Sequence, residues 1–98
     1  MAEVQRTILS GQMAQRFIQF VMMQSQQASL FLGRLPNPQT GQPQVNLEAA
    51  RLFIDQLEML REKTAGNLSV PEAEILTSVL ADLQQAFVEA SGHAVSPP

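Results

Sequence analysis

The sequence predicts an all-α domain of three helices, built as a long amino-terminal helix, a rigid proline loop and a helical hairpin, and associating as a dimeric bundle. Three stretches repeat apolar residues at the helical period. Capping signals mark the start of the second and third. Between the first and second, Leu35–Gln44 carries Pro36, Pro38, Pro43 and Gly41, which no helix interior accommodates.

At 100° per residue, Met13, Phe17, Phe20, Val21, Ala28, Phe31, Leu32 and Leu35 fall within an arc of about 120° on the first helix, with Gln24 in its middle. A polar residue at a seam commonly fixes register or oligomer state, so one reading pairs Gln24 with its symmetry mate. The other turns the helix slightly so that Gln24 reaches a backbone carbonyl or solvent at the rim. A thinner strip, Ile18, Met22, Ser25, Ser29 and Gly33, ends in three small residues spaced four apart and offers a second chain a close approach. At about 24 residues the first helix is roughly 36 Å long, against roughly 27 Å for an 18-residue second helix. Its overhanging end, with Phe17, Phe20 and Met22, calls for a partner.

The proline segment follows. Each proline fixes φ near −65° and pushes its predecessor toward extended geometry, which makes Leu35–Gln44 a stiff extended crossing with a turn at Gly41. Leu35 and Val45 would anchor its ends. At about 11 residues it is long for a connection between bundle helices, where 2–8 is usual. The segment is therefore either an architectural spacer or a recognition loop presenting Leu35, Pro36, Asn37, Pro38, Thr40 and Gly41. Its likeness to a cell-wall sorting signal fails, because the spacing is wrong and no apolar, positively charged tail follows.

Asn46 should cap the second helix, with Val45 stapled onto Ala50. Leu47, Ala50, Phe53, Ile54, Leu57 and Leu60 form its apolar arc, while Arg51, Asp55, Glu58 and Glu62 face water. Leu52 and Met59, beside Gln56 and Lys63, fit neither face and need a third neighbour or a partner chain. Gly66 ends this helix in a left-handed conformation. Ser69 and Glu72 then form a capping box, with Pro71 in the first turn. The third helix buries Ala73, Ile75, Leu76, Val79, Leu80, Leu83, Ala86, Phe87 and Ala90. Residues 13–90 thus read as a single helical domain between a flexible or frayed 1–12 and a disordered tail, 91–98.

Three motifs carry a resemblance: L-P-N-P-x-T-G at Leu35–Gly41, N-L-E-A-A-R-x-x-I-D-x-L-E-M-L at Asn46–Leu60, and K-T-x-G-N-L at Lys63–Leu68. In these the chain resembles bacterial domain-of-unknown-function family 1844, and more loosely so from about Phe17 to Ala90. The resemblance implies a small, soluble, helical bacterial protein and brings with it no activity and no catalytic residues. Asn46 stands where the family often has an acidic cap and does the same capping work.

Composition narrows the function classes. The 98 residues contain no cysteine, so thiolate catalysis and Cys-based zinc sites are excluded. The amino terminus has no signal-peptide core, and the longest apolar cluster, Phe17–Met23, falls far short of the roughly 20 residues a membrane span requires. A cytoplasmic protein without a membrane partner is expected. His93, the lone histidine, lies in the tail, where a general base lacks a fixed position. Glu58 and Glu62 sit four apart without facing histidines and read as a solvated pair balanced by Arg61 and Lys63. No phosphate loop or nucleophile elbow is present, and no catalytic, metal or cofactor site is expected. A net charge of −3, scattered cations and the lack of Trp and Tyr argue against nucleic-acid binding, although Arg6, Arg16 and Arg34 would line one side of the first helix. The expectation is a non-catalytic homo-oligomeric interaction or scaffold module, binding itself or another protein. Its candidate interface is Phe17, Ile18, Phe20, Met22, Gln24, Ser25, Ser29, Leu52 and Met59. An accessory protein of RNA or the translation machinery is the alternative, and a small enzyme or metal protein ranks last.

Overall fold

The computed structural model describes residues 2–94, with side chains described over residues 11–92. Helix α1 spans Ala2–Phe31, strands β1 and β2 span Leu32–Pro36 and Pro43–Val45, and helices α2 and α3 span Leu47–Lys63 and Val70–Ala94. The three helices pack pairwise into a bundle, and an antiparallel hairpin of β1 and β2 joins α1 to α2.

The all-α expectation is corrected by that hairpin. Leu32 pairs with Val45 and Pro36 with Pro43, with an irregularity between the pairs because β1 spends more residues than β2. Gly33 absorbs the extra length at φ +77°, and a Cβ there would lie 2.9 Å from Val45 Cγ2. The prolines do keep the segment extended, but they do not exclude pairing. In a two-stranded ribbon every strand has an open edge, where a residue without an amide proton leaves no ladder bond missing.

The motif Asn37-Pro38-Gln39-Thr40-Gly41 closes the ribbon. The Asn37 side-chain oxygen accepts from the Gln39 amide at 2.8 Å, while its carbonyl accepts from Thr40 N at 3.2 Å and Gly41 N at 2.7 Å. Gly41 turns the chain at φ +72°, and Asn37 N donates to the Gln42 carbonyl at 2.9 Å. Asn37 Nδ2 also donates to Gln44 Oε1. What reads in sequence as a stiff crossing is a reversal tied at both ends. At its base, Asn46 N donates to the Phe31 carbonyl at 2.7 Å, which sets the start of α2 beside the end of α1.

The first helix ends at Phe31, so Leu32, Gly33 and Leu35, read as helix-face residues, belong to β1. The strip of small residues therefore stops at Ser29. Arg34 likewise leaves the helical row of cations, and its guanidinium pairs with Asp82 of α3 at 3.0 Å. At its other end α1 is helical from Ala2, well before the apolar arc begins at Met13. Helix α3 runs on past Ser91 to Ala94, and the final four residues of the expected tail lie outside the described residues.

The amino-terminal caps fall where the sequence places them, but α2 ends two residues before the expected Gly66. Asn46 Oδ1 accepts from Ala49 N at 3.1 Å, Ser69 N donates to Glu72 Oε1 at 2.8 Å, and Glu72 N donates back to Ser69 Oγ. The α2 helix closes at Thr64, whose hydroxyl donates to the Leu60 carbonyl at 2.7 Å, and Gly66 then turns the chain at φ +83°. Val45 is exposed and lies against Gly33.

The core is one cluster: Val21, Ala28 and Leu32; Ala50, Ile54 and Leu57 of α2; Leu76, Leu80, Leu83 and Ala86 of α3. Phe31 and Phe53 stack over its hairpin end with ring centroids 5.9 Å apart. Ala73, expected inside, is exposed, because α3 turns it toward water in its first turn. Arg51 lies over the Phe87 ring at 5.8 Å, fastening the outer sides of α2 and α3.

Candidate interaction surface

The helical period sorts the expected interface residues into three environments. Phe17 packs against the core, while Ile18, Ser25 and Ser29 are half-buried. Phe20, Met22, Leu52 and Met59 remain exposed, at 45%, 46%, 56% and 49%. These four apolar side chains find no adequate cover among the described residues.

Only some of them come together. Phe20 and Gln24 of α1 face Gln56, Leu57, Met59 and Leu60 of α2 across a groove of about 240 Å³. Leu52 stands on the same flank of α2, one turn before Gln56. Ile18 and Met22 lie elsewhere, on a shallow surface of α1 shared with Gln19, Met23 and Gln26. The interface read from sequence is thus split between two sides of α1. Sequence reasoning missed the part played by Gln56; the available signal was its place four residues after Leu52 and three before Met59.

Gln24 is the unusual member. Its Oε1 is inaccessible to solvent and has no hydrogen-bond partner among the described residues. Rotation of α1 has not carried this oxygen to solvent at the rim. A buried acceptor without a donor costs about 1–3 kcal/mol, and because the oxygen is closed to solvent this cost is borne inside the chain.

The groove carries no ionisable side chain. Charges gather on the opposite side of α2, where Arg51, Asp55 and Glu58 border a second groove with Gln84, Phe87 and Val88. There Arg51 and Asp55 are 3.7 Å apart, Arg61 is 3.9 Å from Glu58, and the Gln84 amide donates to Glu58. Among the described residues no group of three His, Cys, Asp or Glu side chains is placed to hold a metal, and no helix is long and apolar enough to cross a membrane. The His93 side chain lies outside the described residues.

In the hairpin, Leu35, Pro36, Pro38, Thr40 and Gly41 are exposed and Asn37 is half-buried, its polar atoms occupied by the turn and by Gln44. The conformation of this loop is therefore fixed by its own bonds.

Fold and surface together define a small helical bundle with a hairpin insertion and an uncharged, part-apolar groove. The chain belongs to the family described as Domain of unknown function (DUF1844), whose profile matches residues 14–89. No curated protein and no solved structure gives a match.

Proposed function

We propose that the chain is a non-catalytic homo-oligomeric interaction or scaffold module. The observation that carries this is the apolar exposure of Phe20 and Met59 on the two walls of the α1–α2 groove, with Leu52 on the same flank of α2.

In a lone chain these side chains are left to water, whereas a second chain laid along this flank would cover them. Light scattering at micromolar concentrations should return a multiple of the 10.8 kDa chain mass. A monomer mass throughout that range overturns the proposal.

A further inference from the structure

We propose that Met22 and Met23 form a reversible oxidation site, at which a peroxide converts both thioethers to sulfoxides on the folded chain and turns an apolar surface of α1 polar. The two methionines share that surface with Ile18, Gln19 and Gln26, and none of these five residues lines the α1–α2 groove. The site therefore does not rest on the oligomeric reading.

Composition selects the chemistry. The chain contains no cysteine, so a mild oxidant finds the thioethers of methionine with no thiol to compete for it. With hydrogen peroxide as the oxidant, a sulfur lone pair attacks one peroxide oxygen, the S–O bond forms and the O–O bond breaks. The proton of the transferred oxygen passes to the departing hydroxide, which leaves as water. Sulfur gives up the two electrons that the peroxide takes.

Packing selects the place. Methionine is ordinarily among the more buried residue types, yet Met22 and Met23 are 46% and 62% exposed, and the buried cluster consists of Val, Ala, Leu and Ile without a methionine. Sulfoxide formation disrupts a protein where the thioether fills a core. At Met22 and Met23 the added oxygen points into water and displaces none of the buried cluster.

Local spacing suits the product. Gln19 stands four residues before Met23 and Gln26 four after Met22, both exposed, so each thioether has a side-chain amide one helical turn away. A thioether is a weak acceptor, whereas a sulfoxide oxygen is a strong one that an amide N–H satisfies. Oxidation at this surface thus creates an acceptor beside existing donors.

Peroxide treatment of the folded chain, followed by intact mass and peptide mapping, tests the site. Met22 and Met23 should each gain one oxygen as fast as they do in the urea-unfolded chain, with the helical circular dichroism unchanged and the melting temperature shifted by less than about 4 °C. Oxidation at these positions that proceeds only as urea opens the chain overturns the proposal, as does loss of helix in the oxidised protein. Each sulfoxide sulfur is a stereocentre, so reductases for both epimers, added to the folded oxidised chain, should restore both thioethers. Sulfoxide retained at either position refutes reversibility. On a hydrophobic-interaction column the oxidised wild type should elute earlier than the reduced protein, and a Met22→Leu, Met23→Leu double variant, which keeps an apolar helical surface, should lose most of that shift. A variant that shifts as far as the wild type places the change in polarity at other methionines and overturns the assignment.

Discussion

Replacing Gly33 by alanine tests the corner on which the bundle turns. Two costs are expected, and they are separable. The first is conformational: φ at Gly33 is +77°, and a left-handed residue other than glycine costs about 1–2 kcal/mol. The second is steric. The new Cβ would lie 2.9 Å from Val45 Cγ2, and a β-branched neighbour has little χ1 freedom with which to yield. Overpacking of this kind typically adds about 1–3 kcal/mol, so Gly33→Ala should lower stability by about 2–5 kcal/mol in all. Gly41 supplies the control. Its φ is +72° but nothing lies within 4 Å of its Cβ position, so Gly41→Ala should carry only the conformational cost of about 1–2 kcal/mol. Urea titrations at one fixed protein concentration measure both, with the midpoint falling at constant slope. The Gly33→Ala, Val45→Ala double variant should recover the steric part and approach the Gly41→Ala value. Equal losses for Gly33→Ala and Gly41→Ala, with nothing recovered in the double variant, would refute the close approach of β1 and β2. A loss below about 0.5 kcal/mol at both glycines would refute the left-handed geometry itself.

Other substitutions probe single contacts. Pro36→Ala and Pro38→Ala should each cost about 0.4–1 kcal/mol through a less restricted unfolded chain; if binding to a captured partner disappears while stability and helicity hold, the hairpin is a recognition element instead. Asn46→Ala removes the acceptor for Ala49 N and should lower stability by about 1 kcal/mol in thermal unfolding. An Arg34–Asp82 double-mutant cycle should give a coupling below about 1 kcal/mol that shrinks with added salt, because both side chains are largely exposed.

The helices were legible because their signals are local. Asn46 and the Ser69–Glu72 box announce their positions through side chains acting within a turn, and each is found in that role, while Gly66, read as the end of α2, lies in the turn after the Thr64 cap. The buried stripe of α2 was legible for the same reason, since Ala50, Ile54 and Leu57 repeat at the helical period. The hairpin was not, because its strands lie mainly in water and carry no alternation of apolar and polar residues. Its strongest cue, Gly33, was absorbed into a row of small helical residues. The proline pattern indicated extended backbone without indicating that two extended pieces pair. At the candidate surface, period marked Met59 and helix length marked Phe20 as needing a partner, but only packing shows that they border one groove while Met22 faces another.

The placement of small residues gives the groove a mechanical character. Ala28 and Ala50 are fully buried in the layer next to the hairpin, where a methyl group is all that stands between the α1 and α2 backbones and the core. The Asn46–Phe31 bond beyond them acts as a pivot, and the two helices as the arms of tongs. Ala28 is three residues from that pivot, about 4.5 Å along the helix, and Phe20 is eleven, about 16.5 Å. A displacement at the alanine layer is therefore geared up between three- and fourfold at the groove. One added methylene at Ala28 or Ala50 would shift the spacing of Phe20 and Met59, so the width of the groove is governed by residues that do not line it.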